Sequence, residues 1–281
     1  MLESASLNPE EVRSMPDSHP LAPLIDAMQA SLAAYLRLFA DLPGIVLKEA
    51  KEVGWFVGAA GPPAREVLWT RFDEATCDAQ IDSVLAEIGA HCRRLDWAVY
   101  RTCRPSDLGR RMEAKGMKPG SVTWMLADLR NIPTRSPPDP DFRIEFVTTA
   151  DQMQVWWHVS AGGYQSTIEN TKVYHDAYLN HPFGPDEDCV HYIGYWRDEP
   201  VTSATLLLAG GIAGLYAIST PPAYRRRGFA SAITCAALDT ARQRGYRHAC
   251  LMSSPMGKSV YQQVGFNVQV NVPEYAWTKT N

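Results

Sequence analysis

The chain has 281 residues, long for one compact domain and comfortable for two of about 140. Hydrophobic residues make up 46% and charged residues 21%, an ordinary globular mixture, and a formal charge of −4 without a stripe of interleaved basic and aromatic residues argues against nucleic acid as a partner. No apolar run approaches the roughly 20 residues that cross a bilayer, the six cysteines contain no C-x-x-C pair and the seven histidines no H-E-x-x-H, so membrane insertion, a disulfide frame and metal chemistry all lack support.

Residues 1–20 are polar, acidic and proline-bearing, without the apolar core of a signal peptide, and read as a flexible leader on a cytoplasmic protein. Residues 21–130 then read as a first α+β domain. Ile25, Met28, Leu32, Leu36 and Phe39 form a helical stripe over 24–39. Strands are expected over 53–58 and 66–72, joined by the turn Gly61-Pro62-Pro63. Ile81, Val84, Leu85, Ile88, Cys92 and Leu95 lie on one face of a second helix, and 97–100 is a short strand. A helix follows Pro105, with Leu108 and Met112 inside and Gly116 at its end, before a strand over 122–129.

Residues 131–141 hold four prolines in eleven positions and can continue neither a helix nor a central strand, so they read as a linker. The second domain, 142–281, opens with a strand over 142–147 and helices through 152–160 and 172–181. Strands are expected over 190–196, 201–208 and 212–219, then a helix over 229–244 whose inward face carries Phe229, Ile233, Ala236, Ala237 and Ala241. A strand over 248–252, a short helix over 257–264 and a strand pair over 266–277 complete the chain.

The segment Thr220-Pro-Pro-Ala-Tyr-Arg225-Arg226-Arg227-Gly228-Phe229-Ala230 joins a strand to a helix. Unpaired amides at such a helix start converge with the positive end of the helix dipole and bind pyrophosphate without a metal. Gly228 removes the side chain that would block approach, Ala230 keeps the next position small, and the arginines put charge at the rim. About 30 residues on stands Ser254-Pro-Met-Gly257-Lys-Ser-Val-Tyr261-Gln-Gln-Val-Gly265-Phe266.

R-x-x-G-x-A at Arg225, Gly228 and Ala230, followed by Y-x-x-x-G-F at Tyr261, Gly265 and Phe266, resembles the GNAT superfamily of acetyl-CoA-dependent N-acetyltransferases. Ser254 stands at that family's usual Asn and Gly257 at its usual Ala. The resemblance implies an α+β GNAT fold, with a central mixed, mostly antiparallel twisted sheet flanked by helices. It implies acetyl-CoA as acyl donor with no metal, and an amine of a small molecule or peptide as acceptor, attacking the thioester directly. A homodimer is compatible with it. By the same resemblance, main-chain groups around Ile218, Ser219 and Thr220 hold the pantetheine arm, and the backbone from Arg226 through Phe229 to Ala230 holds the pyrophosphate. Ser254 and Gly257 flank the arm, and Tyr261 protonates the leaving thiolate.

The attacking amine must be neutral, which calls for a base or a water relay. The strand 212–219 offers no carboxylate, and Glu169, His158, His191 and Tyr164 stay open as candidates. The first half shows no phosphate loop. It does carry Met112-Glu-Ala-Lys-Gly116-Met117, parallel to Tyr261-Gln-Gln-Val-Gly265-Phe266, and a similar element order. The expectation is a tandem of two similar domains in which the first has diverged, with a non-catalytic acyl-CoA-binding or sensing module as the alternative function.

Overall fold

A computed structural model describes residues 4–58, 65–133 and 137–279. The expected turn at Gly61-Pro62-Pro63 and residues 134–136 of the proline-rich segment lie outside these. The first half runs β1 (Ala5–Leu7), α1 (Pro9–Arg13), α2 (Ala22–Arg37), β2 (Ile45–Glu49), β3 (Val53–Gly58) and β4 (Arg65–Thr70), then α3 (Cys77–Ile88), β5 (Arg94–Ala98), α4 (Leu108–Ala114) and β6 (Lys118–Asp128). The second runs β7 (Phe142–Phe146), α5 (Ala150–Tyr164), α6 (Ile168–Leu179), β8 (Cys189–Trp196), β9 (Glu199–Ala209) and β10 (Ile212–Ser219), then α7 (Phe229–Gln243), β11 (His248–Met252), α8 (Lys258–Gln263) and β12 (Phe266–Thr278). Both halves read strand, two helices, three strands, helix, strand, helix, strand.

Several local expectations need correction. The first 20 residues contain a strand and a helix where a flexible leader is expected. Asn8 and Glu11 form a capping box around Pro9, and Val12 is fully buried, which gives this short helix both an end and an anchor. The strand β2 is not signalled by the sequence. Helix α3 stops at Ile88, so Leu95 sits in β5. The terminal segment is one strand, because Phe266, Val268, Val270 and Val272 alternate inward without a break.

The chain divides into two compact units. One comprises Met1–Ala5 with Met125–Gln269, and the other Ser6–Trp124 with Val270–Asn281. These divisions differ from the expected halves, since the chain's last stretch goes with the first half's elements. In the N-terminal unit β2, β3 and β4 are antiparallel neighbours, β4 and β5 run parallel, and β5 pairs antiparallel with β12 from Arg94↔Thr278 to Ala98↔Glu274. In the C-terminal unit β7, β8, β9 and β10 are antiparallel neighbours, β10 and β11 run parallel, and β6 follows β11 in the sheet order.

The core of the C-terminal unit lies between its sheet and α7. Ile233, Ala237, Leu238 and Ala241 on α7 meet Val190, Leu206, Ala213 and Leu215 of the strands, with Phe266 and Val264 at one end. Burying such side chains contributes roughly 1.5–3 kcal/mol each for the larger ones, and the helix is fixed by this face. Ala236, expected inward, is only partly buried, since Leu238 takes the core position on that turn.

Candidate functional site

The parallel pair β10–β11 is in register only from Ala213↔Ala249 to Leu215↔Leu251. Beyond Leu215 the next residues of β10 have no such partner, so an edge of main chain opens between the two strands. On its other side β10 is bulged, for its register with β9 shifts between Tyr216 and Ser219, and Ala217 sits at φ +49°. A non-glycine residue held in the left-handed region stores strain, and a bulge there re-aims the strand.

The chain's own side chains brace this bulge. Thr202 Oγ1 donates to the Ser219 carbonyl (2.8 Å) and lies 2.9 Å from Thr220 Oγ1. Ser219 Oγ donates to the Ser160 carbonyl of α5 (3.0 Å). Arg225 donates from Nε to the Thr220 carbonyl (2.9 Å) and from Nη2 to the Gly163 carbonyl (2.7 Å). Arg225, expected at a phosphate rim, is thus turned to bridge the bulge and the C-terminal turn of α5. Gly163 permits this approach, because a Cβ there would lie 1.8 Å from Ser219 Oγ and 2.8 Å from the Thr220 nitrogen.

The strand then leads into α7. Gly228 is its N-cap at φ +84°, a conformation that favours glycine, and it supplies no capping side chain. The first intrahelical bond is from Ala232 N–H to the Gly228 carbonyl (3.0 Å), so the amides of Phe229, Ala230 and Ser231 precede it. The Phe229 ring is buried and stacks on Phe142 at 4.8 Å, which leaves only its main chain toward the loop. Arg226, at φ +62°, and Arg227 are exposed.

The third part is the turn into α8. Ser254 Oγ accepts from the Gly257 N–H (3.2 Å), which ties the Ser254 hydroxyl to the helix start. A Cβ on Gly257 would lie 2.7 Å from Tyr261 Cε2, so the glycine makes room for the ring. The ring meets Phe266 edge-on at 6.1 Å. Burial pushes the Tyr261 phenol well above its ordinary value, and the neighbouring Tyr164 phenol adds to this. It is therefore protonated at any physiological pH.

Among the candidate bases, His191 is enclosed by Trp156, Tyr178 and Phe183, and burial lowers it to about 3. Its Nδ1 faces Thr205 Oγ1 at 2.9 Å and its Nε2 faces Cys189 Sγ at 3.6 Å, so it is a neutral core histidine. His158 and Glu169 are exposed on α5 and α6. Tyr164, 48% exposed at the end of α5, is the one of these four whose charge adds to the rise of the Tyr261 phenol. Gly163, Ser160 and Thr202 were not legible as site residues, because their part depends on α5 meeting the bulge.

An open strand edge thus leads into an uncapped helix start. Residues 201–269 match the family model described as Acetyltransferase (GNAT) domain. The stretch matched runs from β9 into β12 and takes in the bulged strand, the loop into α7 and the turn into α8. A GCN5-related N-acetyltransferase from Kribbella flavida aligns with a TM-score of 0.62 at 14% identity, over 90% of this chain and 96% of that one. One from Sphaerobacter thermophilus aligns with a TM-score of 0.56 at 15% identity, over 92% and 93%. A tandem GNAT protein from the clavulanic acid biosynthesis pathway aligns with a TM-score of 0.58 at 9% identity, over 94% and 97%. At these identities the likeness is one of fold. No curated protein sequence matches. The GNAT-type fold is mixed α+β with mostly antiparallel sheets flanked by helices, as the two units here are built. No helix among the described residues is long and apolar enough to cross a membrane.

Proposed function

We propose that this GNAT domain transfers an acetyl group from acetyl-CoA to an amine of a small-molecule or peptide acceptor, by direct attack on the thioester. One observation carries the reading, the open edge of β10 beyond Leu215 running straight into the uncapped start of α7. An extended arm can add to that edge as a further strand, and a pyrophosphate can lie on the amides of Phe229, Ala230 and Ser231. The Thr220 carbonyl already accepts from Arg225, so Ile218 is the better placed of the two expected arm contacts. Gly228 takes the positive φ at which the helix starts, with Pro138 packed where a Cβ would point, and the exposed Arg226 and Arg227 supply charge.

Acetyl-CoA supplies the activated acetyl thioester, and the remaining chemistry is proton handling. Tyr261 holds its proton until a thiolate departs. An ordinary thiol has a pKa of about 8.5 and a phenol about 10, so the phenol can donate only within hydrogen-bond reach of the departing sulfur, and the proton it gives up is replaced by the one the attacking amine loses. The amine reaches the site neutral through solvent, since β10 carries no carboxylate and His191 is occupied.

Calorimetric titration with acetyl-CoA and with CoA tests the donor site, and micromolar binding is expected. A thiol-release assay with a panel of amines tests the chemistry. Tyr261→Phe should lower turnover by about 10²–10⁴-fold with donor affinity retained. The lack of a carboxylate on β10 favours one second reading, a binding or sensing module. Tight binding with no turnover by the unaltered protein on any amine would establish it, and binding of neither compound would end both.

A further inference from the structure

Trp196, at the end of β8, carries two guanidinium groups. The Cζ atoms of Arg197 and Arg227 each lie 4.7 Å from its ring centroid. The indole is itself positioned by Phe229, the first residue of α7, at 6.0 Å, and Phe229 is stacked on Phe142. Arg227 directly precedes the N-cap Gly228, so this aromatic seat holds a cation on the residue next to the uncapped helix start.

The charges are unequal. Arg197 pairs with Asp141 at 3.3 Å, whereas Arg227 has no ion pair among the described residues. Arg225 is already engaged by the Thr220 and Gly163 carbonyls, and among the described residues no ring seats Arg226. Of the three loop arginines, Arg227 alone is both preorganised and free to take an anion. A guanidinium stacked on an indole presents its N–H edge outward, and less side-chain freedom is lost when it binds.

Coenzyme A carries, apart from its pyrophosphate, a separate phosphate on the 3′ oxygen of its ribose. Resting on the donor reading above, we infer that Arg227 seated on Trp196 recognises this 3′-phosphate, so that the protein selects CoA over its 3′-dephospho form. The main-chain amides at α7 then hold the pyrophosphate, and the side-chain cation reads the second anionic group. Arg197, half neutralised by Asp141, holds the opposite charge balance at the same ring without competing for the phosphate.

The test is calorimetric titration of the unaltered protein, Arg227→Ala and Arg226→Ala with CoA and with 3′-dephospho-CoA. The unaltered protein should bind CoA about tenfold more tightly, the size of one charge-assisted contact. Arg227→Ala should bring the two affinities within about twofold by weakening CoA alone, and Arg226→Ala should keep the preference. Equal binding of both compounds by the unaltered protein overturns the inference and leaves the donor reading standing. Parallel weakening of both by Arg227→Ala also overturns it, by assigning Arg227 to the pyrophosphate. Binding of neither by the unaltered protein removes the donor reading and this inference together.

Discussion

At the scale of single residues, the geometry at Gly163 and Arg225 ties the loop of α7 to the end of α5. Gly163→Ala would drive a methyl group into Ser219 Oγ and the Thr220 nitrogen, and neither can retreat, because Ser219 Oγ is bonded to the Ser160 carbonyl. Such overpacking costs about 1–3 kcal/mol. Urea unfolding should show a loss of this size, with donor affinity falling as the bulge shifts. Arg225→Lys keeps the charge but offers no planar fork, so it should lose the bridge to two carbonyls and behave in donor titrations like Arg225→Ala. If Lys restored affinity, charge and not the bridge would be what matters. The motif at Arg225, Gly228 and Ala230 was legible because it is local, a strand, a glycine and a helix start. Gly163 was not, because nothing in its neighbourhood in sequence shows that β10 passes within a methyl group of it.

At the scale of elements, most strands and helices followed from apolar period alone: β3, β10 and β11 fall where expected. The failures have physical causes. Cys92 and Leu95 continue the helical spacing of α3 by coincidence, while the chain turns at Gly89 and re-enters a sheet. The membership of β12 is not legible in the sequence, since strand partners separated by well over half the chain leave no local trace. Its distal part pairs with β5 inside the N-terminal unit. Removing residues 270–281 should therefore strip β5 of its antiparallel neighbour. Hydrogen exchange should report lost amide protection in β3, β4 and β5, with β8 and β9 retaining theirs. Equal loss across both sets would mean that the two units unfold as one.

At the scale of the whole molecule, the same element order occurs twice among the described residues, yet the glycine-bearing loop and the tyrosine of the proposed site stand in the second copy. By position in that order, the turn between β4 and α3 corresponds to the phosphate loop. It reads Arg71-Phe-Asp73-Glu74-Ala-Thr76, without glycine, and Asp78 follows in the first turn of α3. Carboxylates at a helix start repel phosphate, and Met112 on α4 stands where the other copy has Tyr261. We take this as a tandem whose first copy has lost donor chemistry. That unit instead sets carboxyl groups near one another: buried Glu66 on β4 is partnered in register with part-buried Asp96 on β5, and Ala98 is partnered with part-buried Glu274 on β12. Burial raises Glu66 to about 8 and Glu274 to about 7, with each carboxylate's neighbours adding repulsion. In the unfolded chain both titrate near 4.5. Below that pH both states are protonated and the folded state keeps its full stability from these groups. Between about 4.5 and 8 the folded state holds more protons than the unfolded one, so stability falls as pH rises. Glu66→Gln removes the titration while keeping the shape. It should raise stability at pH 8 by more than about 1 kcal/mol and flatten the decline between pH 5 and 8. Urea unfolding of both proteins at pH 5, 6.5 and 8 measures this, and parallel curves for the two would show that Glu66 is ionised and solvated in the folded protein.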